Sequence, residues 1–327
     1  MCNTRETQRR ANPRRARALS AAALSAAALL GGGVDFARGI NIVLSYDAVN
    51  SVEPAGDATG AMLIAIMQHI ELTYQDIFED THTLTITYRY GAQPAGTLAA
   101  HSLTAEGGTP HRETAGTIVF SNTVNWFWDT TPANNSEFDM SQTLWRDLSA
   151  AQRDDLYNGF GAAIPSTFEV GFTGTNNGSN PDVAGRTDLL SVAFHETGHA
   201  LGMSAANDAT IAETGDSDYD YDAVNVFGQA LAAEIADGGN IAHLDADGPA
   251  LMNPFFGTAV RRLPGHSDLF AMAGVHDYFS LDVPRREFYG GTNWNLDSNW
   301  SGNQIPAAGH QDFLPAPRPP RHTHTRP

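Results

Sequence analysis

The residues best able to do chemistry are His195, Glu196 and His199, in the run His195-Glu196-Thr197-Gly198-His199. On a helix, residues four apart share a face, so both imidazoles can reach one ion. Glu196 projects about 100° round the axis from His195. There it can hold a water beside the ion without ligating it. The spacing points to zinc-dependent hydrolysis, with His195 and His199 as ligands and Glu196 as general base. Catalytic zinc takes three protein ligands and leaves a fourth position open. In the most compact form of this pattern a third histidine follows three residues after the glycine, but Ala205 stands at that position after Gly202. Three sources for the third ligand are open. One is His243, with Met252 nine residues later and Asn253-Pro254 after it. A second is the acidic set Glu213, Asp216 and Asp218, and a third is His266 or His276. The only cysteine is Cys2, in a segment expected to be removed, so thiolate ligands and a disulfide framework are excluded from the mature chain.

These residues need a helix under them. The stretch Asp188 to Leu201 carries apolar residues at helical spacing and ends at Gly202. Gly198 inside it costs about 1 kcal/mol relative to alanine, so it is expected to permit a close approach. Upstream, Ile40 to Tyr46 reads as a strand and Ala58 to Phe78 as an amphipathic helix. Within that helix His69 reads as a structural histidine on a mainly apolar face. Thr83 to Tyr90 alternates like a half-buried strand, and residues 91–114, rich in Gly, Pro and Thr, read as a long surface loop. Thr117 to Trp128 returns to β character, its aromatic run Trp126-Phe127-Trp128 reading as packing more than as a cleft wall. Helices are expected over 141–158, 223–236 and Ser267 to Tyr278, and a strand over Thr167 to Phe172. This order implies an α+β domain, with helices against a mixed sheet.

The chain has 327 residues with 42% apolar content, enough for a real core, and this excludes a disordered or collagen-like protein. All 19 basic residues are arginine, and six fall within the first 17 positions. Arg9 to Arg17, the Ala/Leu/Ser/Gly run Leu19 to Val34, and Ala37-Arg38-Gly39 form a basic, apolar and small-residue sequence typical of an export signal over 1–39. The apolar run is about 16 residues, short for a ~30 Å hydrocarbon core. The protein is therefore expected to be secreted or periplasmic, with no stable membrane insertion once the signal is cleaved. Residues 40–327 carry twelve arginines against 35 acidic residues, a net charge of −23. Such a body repels phosphate backbones, so nucleic acid is not an expected partner. Asp216, Asp218, Asp220 and Asp222 offer oxygen ligands for Ca²⁺, although the spacing lacks the Gly and terminal Glu of an EF-hand loop and reads better as a solvated acidic loop. Asp245-Ala-Asp247-Gly248 is weaker still. From about residue 291 the texture changes. Trp294 to Pro306 reads like the start of a β-rich module, and the Pro/Arg/His/Thr string 315–327, with His322 and His324, has no core-forming pattern.

The segment His195-Glu-Thr-Gly-His-Ala-Leu-Gly202, the roughly 40-residue insertion to His243, Leu251-Met252, and Asp268-Leu-Phe-Ala-Met-Ala-Gly-Val-His-Asp-Tyr278 together resemble the leishmanolysin branch of the metzincin zinc peptidases and its bacterial secreted relatives. The resemblance covers about 185–280 and is weaker over 40–184. It implies a zincin-like α+β domain over about 40–290, with a mixed twisted sheet, an active-site helix and a smaller C-terminal subdomain carrying the Met-turn. It also implies Zn²⁺ held by His195, His199 and His243, Met252 as the apolar floor of the site, and an endopeptidase acting on protein or peptide substrates through a metal-activated water with Glu196 as base. Extended substrates in that family pair with an edge strand, for which Thr167 to Phe172 is the candidate. Leishmanolysin itself is rich in disulfides, and this mature chain has none to make. Two other functions stay open: a cell-surface binding or adhesion module retaining a zinc site without turnover, and a zinc hydrolase acting on a non-peptide bond.

Overall fold

The computed structural model describes residues 39–109, 111–140, 144–147, 167–178, 180–213, 241–244 and 250–276. The expected signal, the 223–236 helix, the acidic stretch 216–222, Asp245 to Gly248 and everything beyond residue 276 lie outside them. Within them the fold is mixed α and β. Strand β1 (Ile40–Tyr46) leads through a 3₁₀ turn at Ala55–Asp57 into helix α1 (Ala61–Ile77). Asp57 is buried and accepts from the backbone N–H groups of Met62 and Leu63, satisfying donors that the first turn of a helix leaves open. The inward face of α1 is Leu63, Ile66, Met67, Ile70, Tyr74 and Ile77, at the three- and four-residue steps that the sequence repeats. His69 is half-buried, its ring edge-on to Phe194 at 6.2 Å.

Strands β2 (His82–Gly91), β3 (Ala99–Gly107) and β4 (Arg112–Ser121) complete a four-stranded sheet in the order β1-β2-β4-β3. The first three in that order run parallel, and β3 lies antiparallel to β4 at the edge. The expected surface loop over 91–114 is therefore corrected: half of it is β3 and the start of β4. An edge strand with one solvated face needs no apolar alternation, and β3 supplies only Ala99 as a fully buried apolar residue. The β character expected over Thr117 to Trp128 divides into the end of β4 and a two-residue strand β5 (Trp126–Phe127). The indole of Trp126 is buried and donates to the Ser121 carbonyl, while Trp128 packs over Gly56 and donates to the Tyr90 hydroxyl. The aromatic run thus packs the core.

A second sheet holds β6 (Phe138–Asp139), β7 (Leu144–Asp147) and β8 (Thr167–Asn176), with β10 (Val260–Leu263) closing it, while β9 (Thr187–Asp188) pairs with β5. Where a helix was expected over 141–158, residues 144–147 form β7; the remainder of that span is outside the described residues except as this strand. Strand β8 has β7 along Thr167 to Gly171 and β6 at Thr175 and Asn176, while β10 runs opposite Phe172 to Thr175, so within the span expected as an edge only Phe172 faces β10. Among the described strands of the larger sheet the edge turned towards the site is β3. Helix α2 (Leu189–Ala200) crosses behind it, followed by α3 (Asp208–Glu213) and α4 (His266–His276). Every residue of α2 is buried. No helix among the described residues is long and apolar enough to cross a membrane.

Candidate metal centre

Helix α2 is fixed at both ends. Asp188 caps it, accepting from the Ser191 backbone N–H at 3.3 Å and from the Ser191 hydroxyl at 2.5 Å. The same carboxylate receives Arg261 from β10 in a two-pronged contact at 2.9 and 3.0 Å, and Arg261 also reaches Asp129 at 2.6 Å, all three side chains being buried. At the other end Gly202 adopts φ +119°, a conformation that favours glycine. The turn it makes brings the Met203 carbonyl back to the helix. That carbonyl accepts from Nδ1 of His199 at 2.5 Å.

The two motif histidines are oriented by the same device. Nδ1 of His195 donates to the Leu251 carbonyl at 2.9 Å, as His199 does to Met203. With each Nδ1 carrying its hydrogen, each Nε2 presents a lone pair, and the two Nε2 atoms stand 3.0 Å apart. Lone pairs so close repel unless a cation lies between them, and hydrogen bonding at the far nitrogen is the usual way a ligating imidazole is held. His243 closes the group, its ring 5.3 Å from that of His195 and 5.0 Å from that of His199. One nitrogen from each of the three rings lies within 4.8 Å of the others. Burial pulls all three below the usual imidazole range, His195 well below, His199 to about 4 and His243 to about 3, and the neighbouring rings add to the effect. Three neutral imidazoles facing one point fit the donor set of a catalytic zinc site.

A chain of hydrogen bonds holds the backbone next to the third ring. Asp268, buried in α4, accepts from the backbone N–H groups of Leu251, Met252 and Gly265 at 3.1, 2.8 and 2.9 Å. The Leu251 carbonyl then holds His195, and the Met252 carbonyl accepts from Leu244 beside His243 at 3.1 Å. Met252 is fully buried beneath α2. A Cβ on Gly198 would meet its Sδ at 2.5 Å and Cε of Met272 at 2.6 Å, so the glycine in the motif is what lets the Met252 turn approach the helix.

A cavity of about 620 Å³ opens over the rings. Its walls come from Gly96 to His101, from Ser204 to Ala206 and from Pro254 to Phe256, with Glu196 on the lining. Burial raises the Glu196 carboxyl to about 8, against the backbone N–H of His101, which donates to it and pulls the other way. His101 also lines the cavity, although its side chain is only 3% exposed. Its ring is stacked 6.2 Å from that of His199, and its Nε2 lies 2.8 Å from Oε1 of the buried Glu113. Burial raises Glu113 to about 9 and lowers His101 to about 4, each in the direction of its uncharged form. Sequence reading missed both residues because it placed them in a loop; no spacing signal links them.

Of the alternatives for the third ligand, His266 is buried at the start of α4 and is not among the grouped side chains. Asp216, Asp218 and the side chains of Glu213 and His276 are outside the described residues. One other group among the described residues could hold an ion, the exposed set Glu106, His111 and Asp208 at the surface. No family model, curated protein or solved structure matches the chain.

Proposed function

We propose that this protein is an exported zinc-dependent endopeptidase with a metzincin-like catalytic domain over about 40–290, of the leishmanolysin-like branch, acting on protein or peptide substrates outside the cytoplasm after loss of residues 1–39. The observation that carries the reading is the convergence of the Nε2 atoms of His195 and His199, each ring fixed at Nδ1 by a carbonyl, with His243 alongside and Glu196 on the same cavity. Zinc bound there would supply a Lewis acid for the scissile carbonyl and would acidify a water. The chain's own part is positional. His195, His199 and His243 would hold the ion, and Met252 fills the apolar space below. Glu196 takes a proton from the attacking water and returns it to the leaving amine. A buried carboxyl raised to about 8 is a poor base by itself, but a dication beside it would favour its ionised form. Edge strand β3 offers unpaired backbone groups along the cavity wall, so an extended peptide would lie against it as an added strand.

The test is made on the full chain as secreted. Metal analysis should give about one zinc per chain, lost in His243→Ala. Glu196→Ala should keep the zinc yet lower casein hydrolysis by at least about 100-fold. Zinc retained by His243→Ala would move the third ligand elsewhere, and turnover unaffected in a folded Glu196→Ala protein would end the peptidase reading.

A further inference from the structure

The carbonyl that holds His199 belongs to Met203, the middle residue of a three-residue turn. The ends of that turn are joined by the Ser204 N–H, which donates to the Gly202 carbonyl at 2.6 Å. A second tie comes from helix α3. The hydroxyl of Thr210 donates to the Gly202 carbonyl and accepts from the Ser204 N–H at 3.3 Å, so it bridges both residues that flank Met203. Thr210 is fully buried, and the helix that carries it is itself anchored. Asn207, also fully buried, accepts through Oδ1 from the N–H groups of Ala209 and Thr210 at 2.8 and 3.2 Å. Its Nδ2 donates to the His111 carbonyl, between β3 and β4, at 3.0 Å. The brace on the Met203 turn is thereby fastened to the larger sheet. His195 is set by a separate device, since its anchor Leu251 is held by Asp268 and not by α3.

Resting on the zinc site of the peptidase reading, we propose that Thr210 is a positioning residue for the ligand His199: its hydroxyl fixes the Met203 turn, and the Met203 carbonyl holds Nδ1–H so that Nε2 is aimed at the ion. Thr210 is not among the residues that line the cavity, and its effect passes through these hydrogen bonds alone. Ser204, Ala205 and Ala206 continue from the same turn and do line the cavity, so one braced segment serves both the ligand and the wall. With a methyl in place of the hydroxyl, the Gly202 carbonyl and Ser204 N–H keep each other but lose the bridge. The Met203 carbonyl is then free to swing away from His199, and the ring loses the fixed orientation that a ligating imidazole takes from its far nitrogen.

The full chain tests this as wild type, Thr210→Val and Thr210→Ser, each freed of metal and titrated with zinc against a chromophoric chelator. Thr210→Val should weaken zinc binding by about tenfold, while Thr210→Ser, which keeps the hydroxyl, should bind within about twofold of wild type. Ring ¹H–¹⁵N spectra of the metal-free proteins supply a readout that a general loosening would not reproduce. In Thr210→Val the Nδ1–H of His199 should exchange with solvent about tenfold faster, and that of His195, anchored on Leu251, should be unchanged. The wild type decides the case if Thr210→Val does not fold. Its Thr210 hydroxyl proton should persist in slow exchange and show a nuclear Overhauser contact to the Ser204 amide proton, and absence of that contact overturns the inference. A folded Thr210→Val with zinc affinity within about twofold of wild type overturns it as well, as do equal gains in exchange at both histidines or a Thr210→Ser protein no better than Thr210→Val. Wild-type protein that takes up no zinc would instead remove the peptidase reading beneath, an outcome that the metal-free ring spectra register separately.

Discussion

Glu113 is the residue whose surroundings most shape its own chemistry. It sits in the core with His101 against its Oε1, and burial lifts its carboxyl to about 9. A group raised in the folded state contributes stability that is present below its unfolded value and is lost as the pH rises through the folded one. For Glu113 the window runs from about 4.5 up to about 9. Glu113→Gln keeps the shape and removes the proton equilibrium, so its melting temperature should gain on wild type as the pH is taken from 5 to 9. Thermal unfolding of the two proteins across that range checks it, and a constant difference would mean that Glu113 is not buried in its neutral form. The contrast with the histidine motif is instructive. His195, Glu196 and His199 are legible because their chemistry needs a fixed spacing on one helix. The His101–Glu113 pair meets between two neighbouring strands although the ladder sets His101 opposite Ile118 and Glu113 opposite Glu106, and nothing in the linear order links residue 101 with 113.

At the scale of elements, the site depends on two clamps on helix α2 and its partner turn. The first is Arg261 with Asp188 and Asp129. Removing the cation leaves two carboxylates in the core without their counter-charge, and Arg261→Met should cost about 3–5 kcal/mol of stability, read by denaturant unfolding. The loss should be smaller in an Arg261→Met, Asp129→Asn double variant, because one stranded charge is gone. The second is Asp268. Asp268→Asn retains one acceptor oxygen for three backbone donors, so the turn carrying Leu251 and Met252 loosens and the anchor on His195 with it. Zinc affinity should drop by about 10- to 100-fold, measured by competition with a chromophoric chelator, with the fold retained. The elements themselves were unevenly legible. Helices α1, α2 and α4 stand where apolar residues at helical spacing put them, α1 burying one face and α2 buried all round. Strand β3 was read as loop because its outer face is solvated and its inner face carries His101 in place of an aliphatic side chain. The edge role expected of Thr167 to Phe172 is not legible in a sequence pattern, which reports burial but not which strands lie on either side.

Over the whole molecule, charge is the property that local contacts do not explain. Residues 40–327 carry a net charge of −23, and the acidic groups outnumber the arginines almost threefold. The cavity wall itself is chiefly apolar and histidine-lined, with Glu196 its single carboxylate. Selection by charge therefore acts on approach more than on seating. The field of the body draws cationic chains towards it and slows anionic ones, and an effect of this kind is sensitive to ionic strength because the Debye length shrinks from ~30 Å at 0.01 M to ~8 Å at 0.15 M. For two peptides that share a cleavage sequence and differ only in flanks of arginine or glutamate, kcat/KM should favour the cationic one by about tenfold in 0.01 M salt. The preference should narrow steeply by 0.15 M while kcat at saturation stays the same for both. Steady-state kinetics over a salt series is the check. A preference that survives high salt would place the discrimination in a contact within the cavity, where the described lining offers arginine no partner other than Glu196.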